Sequence, residues 1–296
     1  MPVAAAAAVA ALCGAGICAP GGASRLIADG AGRQVAVPAR PSRIVSLAPS
    51  VTEILFALGA GDRVVGVTDF CRHPAAAARL PRIGGLINPD MERILGLRPD
   101  LAIASMTGNY LDDTEKLAAL GVPVYAIGTP DIEGILRAFE TLGALLGEQE
   151  HSGAVVAGLR QRIDRVRASA DRGARPVVLF VIEPHPLIAP GPQTFIAEAI
   201  GIAGGTAAAP GAGTAPAWAQ YDLEQVIAMR PEVIITTKIH APWAERLAGM
   251  SDWKAIPAVA NGRIHVVSDA IQNPGPRLID GIEEVAAILA NAKDGR

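Results

Sequence analysis

Cysteine, charge and aromatic side chains are all in short supply in this chain. Three cysteines among 296 residues cannot build a disulfide scaffold. Asp, Glu, Lys and Arg together make up 19%, against 50% hydrophobic residues, which excludes a disordered acidic or basic tail protein. Twenty-six basic residues against 29 acidic ones leave a formal charge of −3, and no Lys/Arg block stands out, so nucleic acid is not an expected partner. The mean hydropathy of +0.32 derives largely from alanine and short apolar runs. Beyond the N-terminus no run approaches the ~20 apolar residues of a membrane-spanning helix. The chain also lacks a GxGxxG following a strand, a GxxxxGK[ST] loop, an HExxH helix and a GxSxG elbow. The Gly-rich stretch 201–213 has neither the lysine nor the ordered glycine spacing of a phosphate cradle and reads as a surface loop.

What is present begins with an uncharged leader. Residues 1–23 carry no charge, and Val3 to Ile17 are continuously small or apolar. This reads as a signal peptide over 1–23 with cleavage near Ala19 or Ala23, although a basic start is missing. Ala15-Gly16-Ile17-Cys18 is a weak lipoprotein box, so a lipid-anchored form is a minor alternative. Export followed by cleavage removes Cys13 and Cys18 and leaves Cys71 as a lone buried or half-buried thiol.

From Leu26 onward short strands alternate with helices. A hairpin is expected over 26–37 around Asp29-Gly30, then strands at 43–47, 64–67, 101–104 and 122–127 with helices at 51–58, 91–97 and 112–120 between them. Ser50 and Glu53 match a capping box. Residues 131–170 contain no proline and show apolar residues at helical spacing. Gly143 and Gly147 are expected to divide this stretch, the second part being a long polar helix. Alternation then resumes: strands at 176–182, 233–236 and 264–267, helices at 194–200, 223–228 and 276–289, and short helical pieces at 243–250 and 253–256. Such alternation means parallel sheet covered by helices.

The strongest internal signal is a repeat. Residues 90–104, DMERILGLRPDLAIA, align with 222–236, DLEQVIAMRPEVIIT, at an offset of 132. Asp90 and Asp222 are expected N-caps, and Pro99 and Pro231 end the helices. The fold class is therefore α/β: two similar lobes with mainly parallel sheets, 24–130 and 172–296, joined by a helical segment over 131–171 with one long backbone helix. A ligand cleft is expected between the lobes, where strand carboxyl ends converge.

Candidate chemistry is thin. His73, His185 and His240 follow strands or turns and are candidates to line the cleft, while His151 reads as solvated and His265 as an edge-strand residue. The histidines show no metal-ligand spacing. Ser50 has a nucleophile's position after a strand, but helix capping is its simpler role. Glu92 and Glu224 are related by the repeat and suit a symmetric basic partner. Aromatics form only 4% of the chain; Phe70, Tyr110, Phe180, Phe195, Trp218 and Trp243 fall near expected strand ends or in loops and are candidate platforms for a planar ligand. Trp253 reads as core packing. Asp269 and Arg277 are candidates for a polar cleft wall.

Together these segments resemble a known family. PSRIVSLAPSVTEILFALGAGDRVVGVTDFCRHP, INPDMERILGLRPDLAIAS, PLIAPGPQTFIAEAIGIAGG, DLEQVIAMRPEVIIT and GRIHVVSDAIQNPGPRLIDGIEEVA resemble, in order, the ABC-transporter substrate-binding proteins of the vitamin B12, iron-siderophore and haem class. The likeness runs from about 26 to 290. It implies a periplasmic, monomeric receptor and not an enzyme, with no intrinsic cofactor and no protein-held metal. The implied mechanism is capture of a bulky metal complex between the lobes and delivery to a permease dimer served by an ATPase. By motif, Glu92 and Glu224 are the permease-docking acids. The closest branch binds cobalamin, which implies ligand contacts from Phe70, Trp218, Asp269 and Arg277; Ser50, Leu86 and His240 complete the expected ligand-binding set. One departure is Leu86-Ile87, where that branch can carry a tryptophan. Haem or a ferric siderophore is the alternative cargo, with His240 or Tyr110 as candidate haem ligands. A two-lobed α/β enzyme is the competing class.

Overall fold

A computed structural model of the chain describes residues 23–109, 111–170, 175–209 and 216–293. Residues 1–22 of the expected signal segment, with Cys13 and Cys18, as well as Tyr110 and residues 210–213 of the Gly-rich stretch, lie outside the described residues; the rest of that stretch is not a surface loop but holds the end of a helix and a short strand, with Ile202, Ala203 and Ala208 buried. In chain order, β1 (Ser24–Ala28) and β2 (Gln34–Pro38) form an antiparallel hairpin. Then come β3 (Ile44–Ser46), α1 (Pro49–Ala57), β4 (Val64–Val67), α2 (Met91–Gly96), β5 (Leu101–Ser105), α3 (Leu111–Ala119) and β6 (Val124–Ile127). Two helices follow, α4 (Ile132–Leu146) and α5 (Gln149–Ala170). The second half comprises β7 (Val177–Val181), β8 (Glu183–Pro184), β9 (Leu187–Pro190), α6 (Phe195–Ile202), β10 (Thr206–Ala207), β11 (Trp218–Gln220), α7 (Leu223–Met229), β12 (Val233–Thr237), α8 (Ala241–Leu247), α9 (Pro257–Ala260), β13 (Ile264–Val267) and α10 (Leu278–Lys293).

The two halves are built alike. One parallel sheet has the order β4-β3-β5-β6 and the other β10-β7-β12-β13. The aligned stretches are α2–β5 and α7–β12, and β12 begins and ends 132 residues after β5. Both central strands are buried throughout, as expected of parallel strands covered on both faces. Asp90 and Asp222 cap their helices as expected, accepting from Arg93 N and Gln225 N. The likeness extends to strain: Arg98 and Arg230, each just before its proline, have φ of 47° and 50°. Non-glycine residues rarely adopt this left-handed region, at a cost of about 1 kcal/mol or more.

Three local expectations are corrected. Ser50 does not cap α1. Pro49 takes the first turn, Ala48 is the N-cap without a side-chain bond, and Ser50 lies inside the helix. Gly143 does not break the connector. It stays within α4 and lets Ser152 of α5 approach closely, while Gly147 ends α4 at φ 80°. The short strands β8, β9 and β11 form an additional antiparallel sheet between β7 and α7 that the sequence pattern did not reveal.

The strap between the halves is α5, 22 residues and about 33 Å long. Its start is held by the first lobe: His151 Nε2 pairs with Ala57 O at 3.0 Å, and Arg63 bonds Glu148 and Leu146 O. Further along, Arg162 grips Asp280 and Glu283 of α10 in the second lobe. One hydrophobic core runs through both lobes: Val51, Ile54 and Leu55 of α1, Phe139 of α4, and Ile271, Leu278 and Ile282 of the C-terminal region all belong to it. Gly281 is a tight point of this core. A Cβ there would meet Ile271 N and Cα at 2.5–2.7 Å, so backbone must shift. Gly281→Ala should lower unfolding free energy by about 1–3 kcal/mol in urea titrations; an unchanged midpoint would show that α10 yields freely.

Candidate functional site

The carboxyl ends of both sheets open into one cavity of about 840 Å³ between the lobes. β3, β4 and β5 deliver Ser50, Phe70 and Ser105 to it, and β12 and β13 deliver Thr237 and Asp269. Six of the seven expected ligand contacts line it together, Ser50, Phe70, Leu86, Trp218, Asp269 and Arg277, and so does the candidate platform Phe195. His240 is not among the lining residues; its Nε2 faces Glu183 at 3.9 Å, and its neighbours Lys238 and Ile239 take its place. His185 is likewise absent from the lining, whereas His73 is present. Phe180 and Trp243 are buried core residues, not platforms, and Trp243 packs edge-on to Trp253 at 5.7 Å.

Each wall is held by polar locks. In the first lobe, Thr52 and Thr68 hydroxyls lie 3.1 Å from the Cys71 sulfur, and Arg82 donates to Thr68 O and Cys71 O. Cys71 is thus a buried anchor for the loop that carries Phe70, Arg72 and His73. Asn109 Nδ2 donates to Leu47 O and Leu86 O, each at 2.8 Å, and so fixes the Leu86 wall. In the second lobe Trp218 lies on β11, pairs with Pro190 of β9, and meets Phe195 edge-on at 6.3 Å. Trp218 and Phe70 are 43% and 55% exposed, which leaves apolar ring surface open in the cavity.

The floor holds an ion pair that the sequence reading missed. Glu53, 4% exposed on α1, accepts from Arg277 Nε at 3.0 and 3.1 Å and from Nη2 at 2.8 Å. Arg277 Nη1 donates to Asp269 Oδ1 at 3.1 Å. Glu53 belongs to the first lobe and Arg277 to the second, so the pair bridges them. Burial pushes the Glu53 carboxyl above its ordinary 4.5, against the hydrogen bonds and charge of Arg277. At Asp269 burial acts in the same direction, but Arg277 outweighs it and the carboxyl lies below 3.8. A signal for Glu53 existed: it is one acid within the apolar run VTEILFAL, too inward to be solvated. Two further cleft residues, Thr237 and Asn273, carry a buried Oγ1 and a buried Nδ2 without hydrogen-bond partners among the described residues. Each such atom costs about 1–3 kcal/mol while unpaired.

Glu92 and Glu224 stand apart from the cavity. Both are exposed in the first turns of α2 and α7, at equivalent places on the two lobes. Among the described residues no group of three or more His, Cys, Asp or Glu side chains is arranged to hold a metal ion.

A two-lobed α/β frame around an interlobe cavity, joined by a helical strap, is the frame of a solute-binding protein. Residues 44–270 match the periplasmic binding protein family, and the chain belongs to it. It is 30% identical over 256 residues to the vitamin B12-binding protein of Vibrio parahaemolyticus, covering 86% of this chain and 91% of that one. The crystal structure of the periplasmic vitamin B12-binding protein of Vibrio cholerae matches with a TM-score of 0.74 at 27% identity, covering 86% of this chain and 98% of the other. The periplasmic haem-binding protein of Roseiflexus sp. RS-1, in apo form, matches with a TM-score of 0.77 at 27% identity, covering 85% and 98%. This is a binding protein, not an enzyme.

Removing Arg277 tests the bridge. In Arg277→Met the buried Glu53 loses its partner, which should cost about 3–5 kcal/mol near neutral pH. A carboxyl whose folded pKa is raised contributes stability below its unfolded value and loses that contribution as pH rises. The loss should therefore shrink as pH falls, because burial raises the Glu53 carboxyl and without Arg277 it takes up a proton the more readily. Urea midpoints of both proteins between pH 4.5 and 7.5 measure this; a penalty independent of pH would show that Glu53 is not the group left stranded.

Proposed function

We propose that this chain is the capture component of an ABC importer, taking a corrinoid into the interlobe cleft and handing it to a two-fold permease. The carrying observation is the cavity itself: about 840 Å³, open, with Trp218 and Phe70 presenting ring surface from opposite lobes. It lies toward the upper end of the roughly 300–1,000 Å³ range of ligand sites, as a bulky guest demands. The polar groups around it (Ser50, Asp269, Thr237 and Asn273) suit a ring edged with amides. The similarity to vitamin B12-binding proteins over most of the chain supports the same cargo. The family and the uncharged leader support a periplasmic monomer released from a signal peptide, with lipid anchoring at Cys18 as the variant form. Haem is the second reading, favoured by one observation: His73 lines the cavity and offers an imidazole to a ring-bound iron.

Titration of the purified protein with cyanocobalamin, haemin and a ferric siderophore separates these readings. Saturable one-to-one binding of cyanocobalamin with quenching of tryptophan fluorescence is the expected result, and Trp218→Ala should weaken it about tenfold. Binding of haemin with a Soret shift, and no response to cyanocobalamin, would replace the first reading by the second.

Glu92 and Glu224 are the proposed docking contacts. Matched exposed acids on matched helices present a near-symmetric pair of charges to basic residues on two permease subunits. The double variant E92K/E224K should bind cyanocobalamin like the parent and lose transport in reconstituted vesicles. Transport at the parental rate would remove these acids from the docking surface.

A further inference from the structure

Nine of the described residues have φ in the left-handed region. Seven are glycines, which adopt it at no steric cost. The other two are Arg98 and Arg230. They occupy equivalent places in the two lobes, 132 positions apart, each between the last turn of a short helix (α2 or α7) and the proline that precedes the next strand. Where α4 ends in the same conformation, the residue is Gly147. Arginine in both repeats therefore sets side-chain chemistry above backbone ease. Nothing inside the molecule uses that chemistry: both residues are exposed, and neither guanidinium has a hydrogen bond or ion pair among the described residues. The carbonyls at the end of α2, which a cation could serve, are served by Arg43 instead. Its Nε donates to Leu97 O and Arg98 O, and its Nη2 to Leu97 O.

From this geometry we infer that Arg98 and Arg230 are contact residues of the docking face and that they take carboxylates of the permease. A guanidinium fork matches a carboxylate through paired N–H groups. The inference rests on the docking role proposed above for Glu92 and Glu224, which lie in the first turns of the same two helices. Each lobe then presents an acid at the start of its helix and a base just past the end. A permease surface carrying only bases would suit the acid and repel the arginine, so each subunit must offer both signs. Such a pairing fixes the orientation of docking as well as its place. The neighbouring acids disfavour an anionic lipid surface, and one arginine per lobe suits a two-fold protein partner.

The test replaces both arginines with glycine. R98G/R230G removes the side chains and relieves the backbone, so the thermal midpoint should hold or rise and cyanocobalamin should bind as it does to the parent. Affinity for the cognate permease–ATPase complex, purified in neutral detergent, should fall about fivefold, with a shallower dependence on salt. R98E/R230E, which keeps side-chain bulk and reverses the charge, should weaken it further. If the glycine pair lowers the midpoint, the glutamate pair carries the comparison. Unchanged affinity in the folded variants overturns the inference. Reduced binding to phosphatidylglycerol vesicles without permease, with affinity for the detergent complex unchanged, also overturns it and assigns the arginines to lipid. Weakening in the arginine variants, with E92K/E224K at parental affinity, removes the acids from the docking face and keeps the arginines on it. Failure of the parent to bind the complex overturns both.

Discussion

A buried carboxylate must find a positive partner, and Glu53 finds its partner in the other lobe. That single requirement ties the halves of the molecule together at the base of the cavity. Separating Glu53 from Arg277 would strand a charge in a poorly solvated place, a loss of several kcal/mol. The hydrophobic core reinforces the tie, because α1 of the first lobe and the start of α10 of the second lie in one continuous packed cluster. Gly275 brings the second lobe's backbone close to Ser50 of α1. With α5 fastened at one end to Ala57 and further along to Asp280 and Glu283, the lobes are not free bodies on a loose hinge. Closure around a guest is then confined to small adjustments of the walls.

This stiffness divides the labour of the surface. The floor is fixed by the bridge, the walls by Asn109 and by the hydroxyl cluster around Cys71, and the open ring surfaces of Phe70 and Trp218 face solvent between them. The outward acids Glu92 and Glu224 lie on different helices from any of these groups. A change in the cavity need not disturb the outer face, and the outer face can engage a partner without dismantling the cavity.

Much of the frame was legible in the residues. The Asp-to-strand segments at 90–104 and 222–236 announced two equivalent units, because an N-cap, a helix-ending proline and a fully buried strand each leave a composition mark. Phe70, Trp218, Asp269 and Arg277 were legible as scarce aromatics and charged groups placed in loops and beside strand ends, and the family resemblance agreed; periodicity did not mark them, since loop residues carry no period. What failed did so for local reasons. Ser50 and Glu53 have the spacing of a capping box, but Pro49 had already started the helix, and Glu53 turned inward to a partner 224 residues away. Such a pairing leaves no local mark in sequence. Strands of two to four residues, as in β8, β9 and β11, are too short for alternation to show. His240 follows a strand as a cleft residue should, yet it sits one position beyond Ile239 and faces Glu183 instead.

Among the described residues, the extra antiparallel sheet formed by β8, β9 and β11 has no counterpart in the first lobe. Two halves of common design thus enclose an unequal space: Trp218 braced by Phe195 on one bank, Phe70 on the other. A flat guest with two dissimilar sides is offered two dissimilar surfaces, and so the vessel has a front and a back even though its frame is built from two repeats. Cargo seated in such a vessel arrives at its destination facing a set way round, and whatever receives it needs to recognise only that one presentation.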